Sequence, residues 1–399
     1  MNEQTILVIN CGSSSLKFSL ICPHSGKTLV NGLAECLASE QARIKTKFSD
    51  ETIKQDLASP FDHKTAIAAL LNILSDRGLV NDIRAVGHRI VHGGEQYAQP
   101  TLITSDVKKA IVDLAKLAPL HNPANLTGIE AAEQAFENLP QVAVFDTAFH
   151  QSMPKKAYIY GLPYYLYQEH GIRRYGFHGT SHYFVANQAA KLLEKPIEQS
   201  SFISAHLGNG CSVTAIANGK SVDVSLGLTP LEGLVMGTRS GDVDPGIIFH
   251  LIDQLGYSAE KVNQLLNKES GLLGISGISN DCRELEEAAL NDNNERAILA
   301  LEIFAYRIAK TIASYTASLT QLDGIIFTGG IGENSPYVRE LVLSQLTLLG
   351  VKLDHTLNEA TKFGKTGIIT QTGSVQAWVI PTNEEWVIAE QTLQILARG

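Results

Sequence analysis

Hydrophobic and polar positions near the start of the chain follow the pattern of a β-hairpin. Residues 5–9 form a short apolar, β-branched run, and residues 17–22 alternate between apolar and polar side chains. The intervening residues 10–15 (NCGSSS) are small and polar, which is typical of a turn that offers backbone N–H and hydroxyl donors. Ser25-Gly26-Lys27 forms a second turn signal, so we predict a third strand after it.

The same pattern recurs near the middle of the chain. Residues 202–207 are apolar, residues 208–212 (GNGCS) interrupt them, and an apolar stretch returns over 212–216. The pair Asn218-Gly219 is a strong hairpin-turn signal, and residues 220–225 suit a third strand. Two strand–loop–strand–turn–strand units about half a chain apart predict a duplicated fold.

Several longer segments carry apolar residues at helical spacing. We predict helices over residues 64–77, 295–319, 335–350 and 383–396. Ser335-Pro336 is a favourable pair for the start of a helix, and Asn383 is a suitable cap for the last one. Strands mixed with helices indicate an α/β protein whose mixed sheets are flanked by helices, rather than an all-parallel barrel.

Composition and charge narrow the class of protein. The chain has 399 residues, 44% hydrophobic and 18% charged, as expected for a few compact domains. A net charge of −9 argues against nucleic-acid or anionic-membrane partners. The five cysteines include no CxxC pair, which disfavours a disulfide scaffold or a zinc cluster. No apolar run reaches the roughly 18 residues of a membrane span and the first residues are not basic, so we expect a cytoplasmic protein.

Arginine and histidine are concentrated in four stretches that also contain glycine or proline. These are residues 88–94, 120–123, 173–182 and 236–242. Cations beside glycines suit a ligand that the backbone approaches closely, and the ligand they favour is anionic, with phosphate as the first choice. For a single arginine, pairing with a surface carboxylate is the simpler explanation, and the occurrence of four such stretches together weakens it.

Three glycine-rich segments each follow an apolar strand. They are residues 10–15, 208–212 and 329–334, and the third lies between a predicted strand at 324–328 and the helix that starts at Ser335. A glycine turn that leads into a helix is a typical phosphate or nucleotide site. None of the three matches the Walker motif GxxxxGK[ST] or the GxGxxG dinucleotide motif. By itself, each segment is also compatible with an ordinary turn.

Two carboxylate positions stand out. Asp146 follows the apolar run 142–145, where α/β proteins collect functional carboxylates, although a structural aspartate fits equally well. Glu384 and Glu385 begin the last helix, where charge compensation of the helix dipole is the simpler explanation. Neither an HExxH zinc motif nor a GxSxG nucleophile elbow is present in the sequence.

Eight motifs occur together, in order, along nearly the whole chain. They are NCGSSSLK at 10–17, HRIVHGG at 88–94, FDTAFH at 145–150, RRYGFHGTSH at 173–182, HLGNG at 206–210, MGTRSGDVDPG at 236–246, GGIGEN at 329–334 and PTNEE at 381–385. In this combination the sequence resembles the acetate kinase family of the sugar kinase/actin superfamily. The resemblance implies two ribonuclease-H-like (actin-like ATPase) domains, one formed by residues 1–150 with 384–399 and a nucleotide-binding one by 151–383.

The resemblance also implies a reaction and its partners. The family interconverts ATP and acetate with ADP and acetyl phosphate, using Mg²⁺ with Mn²⁺ as an alternative, and the implied assembly is a homodimer. The matching catalytic positions are Arg89, Asp146, His178 and Arg239. Asn10 and Glu384 match the metal site.

The remaining matched positions bind the two substrates. For acetate they are Arg89, Val91, Leu120, His121, Phe177 and Pro230. For the nucleotide they are Lys17, His206, Leu207, Gly208, Asn209, Gly210, Asp281, Cys282, Arg283, Gly329, Gly330, Ile331, Gly332 and Glu333. Cys282 departs from the pattern, since an aromatic residue is expected there in some relatives.

The residue types suit this chemistry. Acetate is already a carboxylate at neutral pH, so it needs no strong general base, and positioning and cations must supply most of the catalysis. We therefore expect Asp146 to orient an arginine and the substrate carboxylate. The nearest alternative is a propionate or butyrate kinase of the same family. A nonenzymatic actin-like filament protein or chaperone ATPase would not need Arg89, His178 and Arg239, and a sugar kinase would need polar groups in the small apolar pocket.

Overall fold

The computed structural model describes residues 4–119 and 121–398, which fold as two compact units. One unit comprises Met1–Ala148 and Asn383–Gly399, and the other comprises Phe149–Thr382. We call them the N-terminal unit and the central unit. Leu120, a predicted acetate-pocket residue, lies outside the described residues.

The strands fall into two sheets. In chain order they are β1 (Thr5–Cys11), β2 (Leu16–Cys22), β3 (Lys27–Glu35), β4 (Arg43–Lys47), β5 (Thr52–Asp56), β6 (Ile83–Ile90), β7 (Thr101–Leu102), β8 (Gln141–Phe145), β9 (Phe202–Leu207), β10 (Cys211–Ala217), β11 (Lys220–Val224), β12 (Gly324–Thr328), β13 (Gly367–Ile368) and β14 (Ala377–Val379).

The helices flank these sheets. They are α1 (His63–Asp76), α2 (Ser105–Asp113), α3 (Asn122–Ala135), α4 (Lys155–Tyr158), α5 (Tyr165–His170), α6 (Gly179–Leu192), α7 (Pro245–Asp253), α8 (Ala259–Lys268), α9 (Gly271–Ser276), α10 (Cys282–Leu290), α11 (Glu295–Tyr315), α12 (Gly329–Asn334), α13 (Pro336–Leu343), α14 (His355–Ala360) and α15 (Glu384–Leu396). No helix among the described residues is both long enough and apolar enough to traverse a bilayer.

The sheet of the N-terminal unit has the strand order β5-β4-β3-β2-β1-β6-β8-β7. Strands β1 to β3 are antiparallel, whereas β1, β6 and β8 are parallel. One face of this sheet packs against α1 and α3 through a large apolar core. On the other face, Ile388 and Ala389 of α15 pack against Ile6, Val8 and Val144. The last helix is therefore part of the N-terminal unit's core.

The sheet of the central unit repeats this arrangement, with the strand order β11-β10-β9-β12-β14-β13. Strands β9 to β11 are antiparallel and β9, β12 and β14 are parallel. All six strands of the central sheet thus share the order and directions of β3, β2, β1, β6, β8 and β7. The prediction of two duplicated actin-like domains with mixed sheets and flanking helices is confirmed.

Most predicted elements lie where the pattern placed them, with one clear exception. The predicted glycine loop at 329–334 is wrong, because these residues form the short helix α12. Glycine has a low helix propensity, so composition favoured a turn. Gly329 is the first residue of α12 and has φ +77°. Its backbone N–H donates a hydrogen bond to Oε1 of Glu333 at 2.9 Å. This hydrogen bond offsets the low helix propensity of the glycines.

The next helix is also shorter than predicted. The α-helix that starts at Pro336 ends at Leu343, and residues 344–349 continue as tighter 3₁₀ turns up to Gly350. Ser335 caps it as predicted, because its hydroxyl accepts a hydrogen bond from the backbone N–H of Val338 at 3.0 Å.

Candidate active site

Two predicted catalytic residues of the N-terminal unit meet at the ends of adjacent parallel strands. Arg89 is the penultimate residue of β6, and Asp146 directly follows β8. Nη2 of Arg89 donates a hydrogen bond to Oδ2 of Asp146 at 2.7 Å. The backbone N–H of Asp146 donates to the carbonyl of Ile90 at 2.9 Å, which fixes the turn after β8. The strand register therefore builds this ion pair.

The pair is buried, and a third charged group faces it. Asp146 is 1% exposed, and Nε of Arg89 lies 3.8 Å from Oε2 of Glu384 at the start of α15. Burial alone would lower the pKa of Arg89, but the charges of Asp146 and Glu384 outweigh it and raise that pKa. Burial also raises the pKa of Glu384 well above its usual value, opposed by Arg89 and reinforced by Asp146.

The predicted metal residues lie in the same small cleft of this unit. Asn10, Lys17, Arg89 and Glu384 all line it. Mg²⁺ takes oxygen ligands and is commonly held by one or two protein groups together with substrate phosphates. The amide oxygen of Asn10 and the carboxylate of Glu384 are donors of this kind, and a buried carboxylate with a raised pKa is stabilised by a nearby cation. The residues present thus fit a magnesium ion.

Two buried asparagines hold the backbone that follows Arg89. Oδ1 of Asn125 accepts a hydrogen bond from the N–H of Val91 at 3.0 Å, and Oδ1 of Asn122 accepts one from the N–H of His92 at 3.2 Å. Val91 is itself 7% exposed, and His121 precedes the first residue of α3. The sequence analysis assigned no role to Asn125, because nothing local to it signals a contact 34 residues away.

In the central unit, two predicted cationic residues converge on a glycine. A side-chain Cβ at Gly210 would lie 3.4 Å from Nη1 of Arg239 and 3.6 Å from Nε2 of His178. His178 immediately precedes α6 in a left-handed conformation, with φ +58°. The space beside Gly210 is therefore bordered by a guanidinium and an imidazole, a pairing that suits the equatorial oxygens of a phosphoryl group.

Arg239 is held by the loop that carries the predicted acetate-pocket residue Pro230. Its Nη1 donates a hydrogen bond to the carbonyl of Pro230 at 3.1 Å, and burial lowers the pKa of Arg239. Phe177 is 3% exposed, and its carbonyl is 2.9 Å from Nε2 of His150. Both pocket residues thus sit next to the cationic residues of this unit.

The predicted nucleotide segments meet at a cavity of about 600 Å³ in the central unit. The predicted residues that line it are Gly208, Asn209, Asp281, Cys282, Arg283, Gly330 and Ile331. Asp281 caps α10 by accepting a hydrogen bond from the N–H of Arg283 at 2.9 Å. Three segments that are far apart in the chain are therefore brought to one cavity.

Other predicted nucleotide residues do not line this cavity. They are Lys17, His206, Leu207, Gly210, Gly329, Gly332 and Glu333. Lys17 belongs to the N-terminal unit. Glu333 instead accepts hydrogen bonds from the backbone N–H groups of Gly329 at 2.9 Å and Thr382 at 3.1 Å. Its carboxylate supports the turn into α12.

The cavity also includes residues that the sequence analysis missed. They are Asn280, Glu286 and Phe363, and they lie beside Asn334 and Ser335, which the sequence analysis placed in the glycine segment 329–334 and at the start of the next helix. Glu286 lies one helical turn after Cys282, whose Sγ donates to its Oε1 at 3.4 Å, so helical spacing could have suggested it. Phe363 is 80% exposed and follows α14, and nothing in its local sequence points to a cavity.

Comparison with known proteins gives consistent matches along nearly the whole chain. The acetokinase family model matches residues 5–390. An acetate kinase of Shewanella baltica is 58% identical over 398 residues, which is 99% of this chain and all of that protein. The crystal structure of Porphyromonas gingivalis acetate kinase is 44% identical, with a TM-score of 0.94 over 98% of this chain and 100% of that one. A propionate kinase from Francisella tularensis is 46% identical, with a TM-score of 0.93 over 97% of this chain and 98% of that one. This chain belongs to the acetokinase family.

Proposed function

We propose that this protein is an acetate kinase, which transfers a phosphoryl group reversibly between ATP and acetate to give ADP and acetyl phosphate. The observation that carries the proposal is the convergence of His178 Nε2 and Arg239 Nη1 on the side-chain-free Gly210. An arginine and a histidine placed there stabilise the charge on a phosphoryl group in transfer. Family membership supplies the carboxylate as acceptor.

Arg89 is the residue that binds the acetate carboxylate in this proposal. It pairs with Asp146 through Nη2, while its buried Nε makes no hydrogen bond to any residue that the structure describes. A guanidinium binds a carboxylate through two parallel N–H donors, so the orientation of the Arg89 guanidinium determines whether it can bind acetate in this way. Asp146 sets that orientation.

Direct in-line transfer needs little acid–base chemistry here. The acetate oxygen attacks the terminal phosphorus as ADP leaves, and no proton has to be removed from a carboxylate. His178 and Arg239 stabilise the transferring group, and the nucleotide occupies the cavity lined by Asn209, Asp281 and Gly330. Catalysis then rests on position and charge.

Asn10 and Glu384 would hold a magnesium ion, with Mn²⁺ as a substitute. A divalent ion supplies charge neutralisation on the nucleotide phosphates when it is bound. Lys17 lines the same cleft, and its ammonium group would be a further cationic contact for a phosphate.

Propionate is the second candidate substrate, because a relative that is 46% identical over most of this chain is a propionate kinase. The positions that the family resemblance assigns to an apolar acyl pocket include Val91, Phe177 and Pro230. One methylene in such a pocket changes discrimination by about 1–3 kcal/mol, so the preference is one of degree.

A homodimer in the cytoplasm completes the proposal. Helix α7 has no buried residue in the isolated chain, although Ile247 is 44% and Phe249 is 64% exposed. Exposed apolar side chains on one helix are typical of a surface that a second copy covers. The charge of −9 supports the absence of nucleic-acid and membrane partners.

The test is ADP release from Mg-ATP in the presence of acetate, propionate, butyrate or glycerol at matched concentrations. We expect acetate to give the highest kcat/KM, propionate a lower one and glycerol no turnover. Propionate ahead of acetate would assign the second candidate. Glycerol turnover would favour a sugar kinase. ADP release that no carboxylate stimulates would favour an actin-like filament protein or a chaperone ATPase of the superfamily.

A further inference from the structure

A continuous chain of hydrogen bonds leads from His178 into the interior of the central unit. Nδ1 of His178 lies 2.9 Å from Oγ of Ser212, and the same Oγ lies 2.7 Å from Nε2 of His182. Nδ1 of His182 is hydrogen-bonded in turn to Oγ of Ser204. Ser212, His182 and Ser204 are fully buried. A buried network in which each polar group has a hydrogen-bond partner makes the surrounding structure rigid.

The fold places these groups opposite one another. His178 and His182 are four residues apart at the start of α6 and share one helix face, and the N–H of His182 donates to the carbonyl of His178 at 3.0 Å. Ser212 and Ser204 belong to the paired strands β10 and β9. These hydrogen bonds therefore connect the start of α6, next to His178, to strands β9 and β10 of the sheet.

The His178 ring is restrained on a second side as well. It stacks on the His206 ring with centroids 4.3 Å apart, and Nδ1 of His206 is 2.8 Å from Oγ of Ser181. With Nδ1 directed at Ser212, the opposite nitrogen, Nε2, faces the space beside Gly210. The hydrogen bond to Ser212 thus determines which nitrogen of His178 faces that space.

We propose that Ser212, with His182 behind it, is a positioning residue that holds His178 with Nδ1 inward and Nε2 toward the transferring phosphoryl group. This inference rests on the proposed function, since it presumes that His178 contacts that group. Neither Ser212 nor His182 touches substrate in this arrangement, so both act through His178.

The proton arrangement is consistent with this role. The single Ser212 hydroxyl proton can point to only one of the two rings, so the other ring must donate to Oγ. Burial, followed by the charges of His150 and His206, lowers the pKa of His182, so this ring is neutral and can carry its proton on either nitrogen. Ser212 can therefore donate to Nδ1 of a His178 ring that carries its proton on Nε2, or accept from Nδ1–H, and in either case Nε2 is the nitrogen that faces the space beside Gly210.

The test compares Ser212→Ala with Ser225→Ala in the full-length protein. Ser225 is a buried serine whose Oγ accepts a hydrogen bond from the N–H of Val213 at 2.9 Å, so it offers a matched deletion next to Ser212. We expect Ser212→Ala to lower kcat by about 10- to 100-fold with little change in KM for ATP or acetate, as removal of orienting groups commonly does. Ser225→Ala should keep kcat near the wild-type value, and Ser212→Thr, which retains the hydroxyl, should restore part of the loss.

A double-mutant cycle separates positioning from general support of the fold. In a His178→Ala background, Ser212→Ala should cause no further loss of kcat, because its effect passes through His178. Nitrogen-15 NMR of the histidine rings should show an altered Nδ1 signal of His178 in Ser212→Ala. Should Ser212→Ala not fold, Ser204→Ala takes its place, with a smaller loss that also disappears in the His178→Ala background.

The outcomes distinguish the two proposals. An active wild-type protein in which Ser212→Ala and Ser225→Ala behave alike, or in which the losses from Ser212→Ala and His178→Ala multiply, overturns the positioning role alone. A wild-type protein without carboxylate-dependent ADP release overturns the proposed function. In that case the NMR signal still reports whether Ser212 orients the His178 ring.

Discussion

Arg89 and Asp146 are 57 residues apart in sequence, yet Nη2 of the first donates to Oδ2 of the second at 2.7 Å. The carboxylate that the family resemblance assigns to catalysis is thus engaged with the arginine assigned to acetate. This arrangement agrees with a role for Asp146 in orienting Arg89 rather than in abstracting a proton.

Asp146→Asn tests that role. The amide oxygen can still accept the hydrogen bond from Arg89, so we expect kcat to fall by about 10- to 100-fold without disappearing. The pH–rate profile should remain flat above about pH 6, because a carboxylate substrate needs no base. Steady-state kinetics between pH 6 and 9 give both results. Complete loss of turnover in a folded variant that still binds nucleotide would contradict simple orientation.

Arg239→Ala should be among the most damaging substitutions in the central unit. Removal of a preorganised cation from a transferring phosphoryl group costs on the order of 10²–10⁴ in kcat. Turnover under saturating substrates measures the effect, with circular dichroism as the check on folding. Arg307→Ala is a suitable control, because Arg307 is a partly exposed arginine of α11 that makes a long ion pair with Asp242 at 3.8 Å and a hydrogen bond to its carbonyl at 3.3 Å. Similar losses in the two variants would argue against a specific role for Arg239.

Glu333 supports the nucleotide segment, so its substitution should affect ATP more than acetate. Glu333→Ala leaves the N–H groups of Gly329 and Thr382 without their acceptor, and we expect a loss of about 1–3 kcal/mol in unfolding free energy together with a higher KM for ATP. Glu333→Gln retains a side-chain oxygen and should behave more like the wild type. An unchanged KM for ATP in a folded Glu333→Ala protein would show that the support is dispensable.

His88 should make the protein less stable in mild acid. Burial lowers the pKa of His88 to about 4, opposed by its hydrogen bond to Gln141. The unfolded chain binds this proton more readily, so stability is lost as the pH falls from about 6.5 toward 4. The expected loss from this one group between pH 7 and 5 is about 2 kcal/mol. Urea unfolding at the two pH values measures it.

His88→Gln should reduce that difference between the two pH values. The exposed His24→Gln is the control and should leave the difference as it is in the wild type. An equal pH dependence in wild type and His88→Gln would mean that His88 is not the group responsible.

The homodimer prediction concerns helix α7. Phe249→Lys introduces a charge on its most exposed aromatic ring and should convert dimer into monomer at micromolar concentration. Sedimentation velocity measures the change, and Leu348→Lys, at a fully exposed leucine outside α7, should remain dimeric. A wild-type protein that is monomeric at all concentrations would contradict the proposal.

The local pattern of apolar and polar residues was sufficient to predict those strands and helix starts that depend on residues close together in the sequence. Alternation around residues 17–22 and 212–216 predicted both hairpins, and the caps at Ser335 and Asn383 predicted two helix starts. The glycine segment at α12 was misread because its helix depends on Glu333 reaching back to Gly329. This side-chain hydrogen bond depends on the folded geometry of the turn and cannot be predicted from the amino-acid composition of the segment.

The candidate active site also contains residues that the sequence indicates and residues that only the folded structure brings in. Arg89, Asp146, His178 and Arg239 could be proposed from the sequence because they lie in motifs that resemble a family, and their residue types suit phosphoryl transfer. Asn125, Phe363 and Ser212 contact their partners only through tertiary structure, at sequence separations that no local window covers. Residues that support a site from elsewhere in the chain are therefore the ones that sequence reasoning misses.

The position of α15 has a consequence for folding during synthesis. Residues 149–382 are continuous in the chain and complete their own unit before Asn383 is made. The N-terminal unit begins first but finishes last, because Ile388 and Ala389 cover Ile6, Val8 and Val144 only after the final helix has left the ribosome. Until α15 has been synthesised, one apolar face of the first sheet lacks the helix that covers it.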